Sequence, residues 1–533
     1  MKLQNPQQIQ NIVILGGGSA GWLSATYLNQ ILNSGQGSPC QITLIESADI
    51  GIIGVGEATI HTFPGTLQLL GIPESEWMVK CNATFKNAIK FVNWSGLPGK
   101  DEYWHPLTRL PETPGSSIPL FHYWLQSKLQ GNSAAFDASC FAAVELCAAQ
   151  KSPKSVNNRN PHTTVGDYGY HLDAGLLATY LKQKGKSEGI RQIVDHVLDV
   201  AFDENGFIRH LVTENHGEVA GDLFIDCSGF SGRLINQALQ EPFISYSDSL
   251  LCDRAVALPV LYESGDKYNE KRGGINPYTT STALSTGWAW NTPLVERSGN
   301  GYVYASAFIS PEQAEMELRQ HLQEYTTPAR HLQIRVGKTR NTWVKNCVSI
   351  GLSSGFIEPL ESTGIYLIEA GLYHLLQNFP DQKFDPMLRE NYNRTMQNLY
   401  EDIRDFIVLH YCLTQREDTP FWQANKYNLK IPDSLQQRLE QWRFMWPSQN
   451  FSAVSQPLFG DYSYVCILAG MGYLPEKVLP IVTYQQGLST QLFTQLSNYS
   501  QQLKKCLPNH VDYLRDIHQR DILTNLFVKG NRQ

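Results

Sequence analysis

Three glycines set the first chemistry available to this 533-residue chain. Gly16, Gly18 and Gly21 stand at Gly-x-Gly-x-x-Gly spacing directly after the apolar run Asn11–Leu15 (NIVIL), within Gly16-Gly17-Gly18-Ser19-Ala20-Gly21-Trp22. A strand ending in such a loop and feeding a helix presents bare backbone amides to a pyrophosphate. The first glycine allows the tight turn, the second the close approach of the ligand, the third close packing of helix on strand. A second apolar run, Ile42–Ile45, ends in Glu46. Its distance from the loop is close to the roughly 20 residues at which an acid holds a ribose hydroxyl. The pattern is that of a bound dinucleotide. A competing pattern, Gly351-Leu352-Ser353-Ser354-Gly355, follows a buried run and satisfies the Gly-x-Ser-x-Gly signature of a hydrolase nucleophile. The nucleotide-binding strands leave no room for a separate hydrolase core, so Ser353 is read as part of the nucleotide module.

The elements that must position this loop are spread along the chain. Residues 11 to about 75 form the nucleotide unit and the glycine-rich strap 51–59. Residues 95–165, rich in Trp, Tyr, His and Pro, read either as an insertion lining a pocket or as an irregular aromatic surface layer. Ile193–Val200 alternates, Phe202–Gly206 (FDENG) reads as a hairpin turn, and Asp222–Gly229 (DLFIDCSG) is a buried strand ending in a polar turn. There Asp226 and Gly229 fit either a second cofactor-binding turn or a plain strand end. Cys347–Ile350 is another buried strand. Ile365, Leu367, Ile368, Leu372, Leu375 and Leu376 predict a helix over 364–379, and the chain beyond 385 is mainly helical. Strands dispersed over 370 residues with long insertions are commoner in flavoprotein oxygenases than in nicotinamide dehydrogenases. Only one dinucleotide fingerprint is present, which implies that reduced flavin arrives from a separate NAD(P)H-dependent reductase.

The expected fold class is α/β: an FAD-binding, glutathione-reductase-like module with a mostly helical substrate-binding module. Residues 1–75 and 166–380 would build the former, 76–165 an insertion of the latter, and 381–533 its helical remainder. A net charge of −7 without a basic run argues against nucleic-acid binding. The ten cysteines are scattered without a Cys-x-x-Cys pair, so no metal site or disulfide framework is indicated. The polar start of the chain and the lack of a run of about 18 apolar residues predict a cytoplasmic protein without a membrane span.

Five segments in order carry a resemblance that runs along nearly the whole chain: Gly16–Trp22, Gly54-Val55-Gly56-Glu57-Ala58-Thr59, Thr84–Trp94 (TFKNAIKFVNW), Gly287–Pro293 (GWAWNTP) and Glu358–Ile365 (EPLESTGI). Together they resemble the flavin-dependent tryptophan halogenase family. Trp288, Trp290 and Pro293 match its Trp-x-Trp-x-Ile-Pro signature, with Thr292 in place of isoleucine. The resemblance implies that reduced FAD and oxygen turn a bound chloride or bromide into hypohalous acid, which travels inside the protein to an aromatic substrate. Lys86 matches the lysine that directs this oxidant, by hydrogen bonding it as an ammonium or by forming a haloamine when neutral; burial favours the neutral form. The competing reading is a surface lysine whose stem covers apolar neighbours. Lys90 is the second choice if the segment is helical.

Glu361 matches the family's second catalytic residue, a carboxylate that polarises the oxidant or takes the ring proton. It also reads as an acid stabilised at a helix N-terminus. The amides of Thr363 and Gly364 would hold the halide. The flavin contacts implied are Gly16, Gly18, Ser19, Ala20, Gly21, Glu46, Gly54, Gly56, Ala58, Val197, Leu352 and Ile365. At the substrate, His105 matches a histidine placed against the indole, and Leu107 stands where an aromatic ring is common. Tyr462 and Tyr464 are further candidates. The substrate implied is tryptophan, another indole or an electron-rich aromatic, and family members are often homodimers. The rival readings are an FAD-dependent aromatic hydroxylase and a flavin-binding partner without catalysis.

Overall fold

The computed structural model describes residues 8–35, 39–49, 56–111, 118–131, 134–155, 165–447, 457–485 and 487–530. Gly54 and Val55 of the strap, and 451–456, lie outside the described residues. A six-stranded sheet runs in the order Trp343–Val344, Cys347–Ser349, Leu223–Asp226, Asn11–Leu15, Gln41–Glu46, Arg191–Val194. All its pairings are parallel except the outermost, between the first two strands. Ile12, Val13, Ile14, Leu44, Ile45, Phe224 and Ile225 are all buried. Continuous apolar runs of this kind suit a parallel sheet covered on both faces. Helix Ser19–Asn33 packs on it and against helices Ala174–Ser187 and Gly364–Gln377. The chain turns into that first helix at Gly16, whose φ of +120° is open to glycine and strained for other residues. The Gly16 amide donates to Ile45 O at 2.8 Å, tying the turn to the neighbouring strand.

A seven-stranded sheet is ordered Arg330–Gln333, Arg254–Leu261, Arg297–Tyr304, Gly287–Pro293, Tyr278–Ala283, Ala88–Val92, Glu102–Pro106. It joins residues around 90–105 to those around 255–330. A three-stranded sheet places Gly169–Asp173 between Gly56–Ala58 and Thr84–Lys86. Segment 84–92 is therefore two strands in different sheets, breaking at Asn87, whose amide donates to Pro277 O.

Among the described residues, no strand follows Phe356, and helices account for the regular structure beyond 385. The longest, Pro386–Cys412, starts with Pro386 in its first turn and with the Asp385 side chain accepting from the Met387 amide at 2.8 Å. Its buried positions Tyr392, Met396, Leu399, Tyr400, Ile403, Phe406, Ile407 and His410 recur at the helical period, so one face is core throughout. The α/β architecture expected from the sequence is the one observed. The aromatic stretch around 100–140 is core and not a surface layer: Tyr103, Trp104, Phe121, Tyr123, Trp124 and Phe136 are all buried. No helix among the described residues is long and apolar enough to cross a membrane.

Close strand packing leaves Gly301 without room for a side chain. Trp290 lies opposite Gly301, and a Cβ built there would stand 2.0 Å from the indole. Gly301→Ala is expected to lower the unfolding free energy by about 1–3 kcal/mol and to alter tryptophan fluorescence. Denaturant unfolding checks it; an unchanged midpoint and spectrum would mean that the ring lies elsewhere.

Candidate active site

Segments far apart in sequence converge on Glu358–Gly364. Pro359 fixes the backbone at the start of a tight turn over Pro359–Glu361, closed by the Ser362 amide donating to Pro359 O at 3.0 Å. Ser362 itself is left-handed (φ +61°), a conformation that a non-glycine residue adopts at a cost. The next residue caps helix Gly364–Gln377. The turn thereby sets Glu361, Ser362 and the helix start side by side.

Lys86 comes to this turn from the strand Thr84–Lys86 and has no exposed surface. Its Nζ donates to Ser362 Oγ at 2.7 Å and to Thr59 O at 3.3 Å. Burial drives its pKa down from 10.5 to about 7, with the Glu361 charge opposing. The reading of Lys86 as a surface cation is thus wrong. So is the helical face for Lys90. That residue sits in a strand, half-buried, with its ammonium 2.5 Å from Glu102 Oε2 and 5.3 Å from the Trp104 ring centroid.

Glu361 is 1 % exposed, and its Oε2 is hydrogen-bonded to His105 Nδ1 at 2.8 Å. Its Oε1 stands 3.2 Å from His410 Nε2, but off the line of a hydrogen bond, leaving both atoms without an aligned partner. Burial pushes the carboxyl up; His105 and His410 outweigh it and hold it at about 2. Two imidazoles thus face the carboxylate, three residues before the helix start. His410 Nδ1 in turn contacts Tyr103 Oη at 3.1 Å. Beside His105, Phe406 and Phe459 stack with centroids 3.8 Å apart and an interplanar angle of 18°.

The two tryptophans of the Gly287–Pro293 strand point to one face, centroids 6.2 Å apart, as residues two apart in a strand must. Trp288 Nε1 donates to Glu358 Oε2 at 3.0 Å, and Tyr411 Oη donates to the same oxygen at 2.5 Å. Burial lifts the Glu358 pKa to about 7, against these two bonds. Pro293 O accepts from Thr84 Oγ1 at 2.6 Å, tying the motif to the lysine strand.

The glycine loop has the shape a pyrophosphate needs. A Cβ on Gly21 would meet Gly16 O at 1.8 Å, one on Gly17 would meet Glu46 Oε2 at 1.8 Å, and one on Gly18 would enter open space. The helix start beyond Gly18 carries no side-chain cap, so the Ser19 and Ala20 amides face that space without one. Glu46 lies at the loop, its other oxygen held by Lys182 at 2.7 Å and by Gln192. Gly56 and Ala58 lie on the strap strand, Val197 opens a strand, Leu352 is in the turn Gly351–Ser353, and Ile365 is buried in the helix first turn. Helix Gly364–Gln377 likewise has no side-chain cap, a Cβ on Gly364 would meet nothing, and Thr363 Oγ1 is buried without a partner.

Other candidates are committed elsewhere. The Asp226 carboxylate caps the turn after its strand, accepting from the amides of Ser228, Leu234 and Ile235, which makes it a strand end. Ser353 Oγ donates to Asp226 O and Ile350 O and is no exposed nucleophile. Leu107 is buried at Gly169, and Tyr462 is half-buried. Tyr464 is buried with its hydroxyl 2.8 Å from Arg438, so it backs the Phe406 ring rather than offering a free polar group.

Sequence reasoning missed His410, Tyr103, Phe406, Phe459 and Tyr411. A histidine directly after the apolar run Phe406–Leu409 was the one available signal, because a buried imidazole beside such a run needs a polar partner.

Residues 11–486 match the family model described as tryptophan halogenase. The chain is 38 % identical to tryptophan 6-halogenase ThaL of Streptomyces albogriseolus, over 96 % of this chain and 99 % of that protein. It superposes on the tryptophan 6-halogenase SttH of Streptomyces toxytricini with a TM-score of 0.88 and 39 % identity, covering 95 % and 99 % of the two chains. BrvH, a flavin-dependent halogenase from Brevundimonas sp. BAL3, gives 0.86 and 35 %, with 96 % and 99 % covered.

Two outcomes follow from this geometry. An amine at about 7 in the fold against 10.5 unfolded burdens the native state wherever both forms carry the proton. That burden is full below pH 7, shrinks as pH rises because the unfolded chain then binds more protons, and is gone above 10.5. Lys86→Met is expected to stabilise the protein by up to ~4 kcal/mol below neutral pH, and by progressively less above it. Chemical denaturation across the pH range checks this, and a pH-independent gain would show that the amine is not desolvated. Gly18→Val, with open space at its Cβ, is expected to leave the unfolding midpoint of the FAD-free protein in place. It should weaken FAD binding by about tenfold or more, read by flavin fluorescence titration.

Proposed function

The chain belongs to the tryptophan halogenase family and is a flavin-dependent halogenase; we propose that Lys86 directs an oxidised halogen onto an indole-type carbon and that Glu361 takes the ring proton. The observation that carries this reading is the Lys86–Ser362 hydrogen bond at 2.7 Å, made by an ammonium with no exposed surface. Ser362 separates Glu361 from the Thr363 and Gly364 amides. One side chain thus touches the residue between the proposed proton acceptor and the proposed halide site.

The glycine loop and Glu46 would hold reduced FAD, which with oxygen would supply the oxidising power that converts chloride or bromide to hypohalous acid. The residues of this chain do the rest. The Thr363 and Gly364 amides hold the halide at a helix start, where the dipole favours an anion. Trp288 and Trp290 narrow the space by the Glu358–Gly364 turn and disfavour direct hydroxylation of a substrate there. With its pKa near 7, Lys86 has both forms accessible at neutral pH. As an ammonium it hydrogen-bonds the hypohalous oxygen, and as an amine it accepts the halogen. Hypohalous acid gives its halogen to the ring while its oxygen leaves as hydroxide, and the ring proton passes to Glu361 and from there to that hydroxide, so that haloarene and water are the products. The low pKa of that carboxyl keeps it ionised and ready. His105, Phe406 and Phe459 form the aromatic wall beside it. The substrate is a small aromatic of indole type, and a separate NAD(P)H-dependent reductase supplies the reduced flavin. Homodimerisation accords with this reading.

Mass spectrometry tests it on a panel of indoles including tryptophan, each given reduced FAD and oxygen with chloride, with bromide or with neither. The expected product gains one halogen and follows the halide supplied. Lys86→Ala should lower the rate by roughly 100-fold or more with FAD binding retained. Hydroxylated product formed equally without halide would establish the hydroxylase instead, and FAD binding without turnover on any substrate would indicate a non-catalytic binder.

A further inference from the structure

We propose that His510, at the start of helix His510–Gly530, is a positioning residue for Lys86. It lies beyond the residues spanned by the family match. The inference rests on the reading of Lys86 above. Strand Thr84–Lys86 has only three residues, and its one ladder is with Gly169–Asp173. Alternate residues of a strand point their amides to opposite sides. The Phe85 amide is taken by a side chain: it donates to His510 Nε2 at 3.1 Å.

The tautomer that makes this possible is forced. His510 Nδ1 lies 2.9 Å from Ile275 O, a carbonyl that can only accept, so the ring proton is on Nδ1 and the lone pair is on Nε2. The imidazole has no exposed surface. Its backbone is pinned as well, with the His510 amide donating to Gln150 O at 2.8 Å and a bridge between Lys151 and Asn509. Tyr513, one turn on, meets the Phe85 ring edge-on at 5.0 Å.

The residue before Phe85 is held in a parallel manner. Thr84 donates to Pro293 O, so it accepts from His171 Nδ1 at 3.0 Å, and His171 Nε2 accepts from Thr279. Two neutral imidazoles therefore fix the two residues before Lys86. The titratable groups that face this strand are His171, His510 and Glu361, with Lys154, Tyr168, Tyr170 and Tyr513 around the Phe85 ring and Glu74 bonded to the first three of these. Burial holds His510 down at about 4, against its bond to Ile275, so its acceptor persists at neutral pH.

The test compares His510→Leu, His510→Gln and Lys86→Met in the full-length chain, with reduced FAD, bromide and indole. Read in each are kcat, KM for indole and the pH midpoint of kcat. His510→Leu, without an acceptor, is expected to lower kcat about tenfold or more, move the pH midpoint, and leave KM within ~3-fold. His510→Gln, whose amide oxygen can accept from Phe85, should restore kcat and midpoint. A folded His510→Leu with unchanged kcat and midpoint overturns the proposal, as does a folded His510→Gln as slow as the leucine variant. Should His510→Leu not fold, His510→Gln decides alone: native kcat and midpoint support the proposal, and loss of either overturns it. If Lys86→Met keeps turnover, the reading of Lys86 itself falls. If Lys86→Met is dead while His510→Leu behaves as wild type, only the positioning role falls.

Discussion

A primary amine with no contact with water is the constraint around which this molecule is arranged. Removing an ammonium from solvent costs several kcal/mol even after relaxation. Lys86 recovers part of that from two acceptors, Ser362 Oγ and Thr59 O, and from the Glu361 charge. Each compensation makes its own demand. Ser362 must be left-handed to bring its hydroxyl to the amine, Pro359 must start the turn that allows this, and the strap strand must dock its Thr59 carbonyl nearby. Were the lysine merely structural, an apolar side chain would fill the same space at lower cost. That the fold carries this expense accords with the role proposed for the amine.

The surrounding acids show how environment separates chemically equal groups. Glu358 and Glu361 are three residues apart and both wholly buried, yet one is lifted to about 7 and the other held at about 2. Burial acts on both in the same direction. The difference is the partners: Glu358 faces an indole N–H and a phenol, Glu361 two imidazoles. Glu369, one turn further into the helix, behaves like Glu358, lifted to about 7 by burial, against the hydrogen bonds it accepts from the Thr62 and Thr66 hydroxyls. Of these three carboxyls, only Glu361 is both firmly ionised and in the field of Lys86. That pairing of a readily neutral amine with a firmly charged carboxylate matches the two roles proposed for them.

The parts of the fold legible in the sequence are those that local chemistry dictates. The Gly16–Gly21 loop, the apolar runs at 11–15, 42–45 and 347–350, and the helix over 364–377 each carry their own signal in composition or period. The site residues Lys86, Glu361 and His105 were reached through short motifs. Their mutual contacts were not legible, because they depend on strands pairing across hundreds of residues. Lys90 shows the limit well. A spacing of four residues fits one helical face, but the chain changes sheets at Asn87, and Lys90 ends in an ion pair with Glu102. His410, Tyr411 and Phe406 were passed over for another reason, the histidine despite its place after an apolar run. They sit in an ordinary amphipathic pattern, where a functional ring and a packing ring leave the same trace.

Those three residues also explain why the site should behave as one unit. Helix Pro386–Cys412 carries Phe406 against His105, His410 against Glu361 and Tyr411 against Glu358. The positions are four and one residues apart, so all three face the turn from little more than one turn of a rigid rod. A change that slides this helix displaces the aromatic wall, the imidazole beside the carboxylate and the acid that anchors Trp288 together. The Glu358–Gly364 turn couples the same groups from the other side through a backbone that has no slack at Pro359 or Ser362. Substitutions within this set share partners and backbone, so their effects on turnover cannot be summed as if independent. The aromatic ring absent at Leu107 belongs to the same logic. The stacked pair Phe406 and Phe459 supplies ring surface beside His105 from other elements, and the wall is thereby tied to the helix whose His410 faces the proposed proton acceptor.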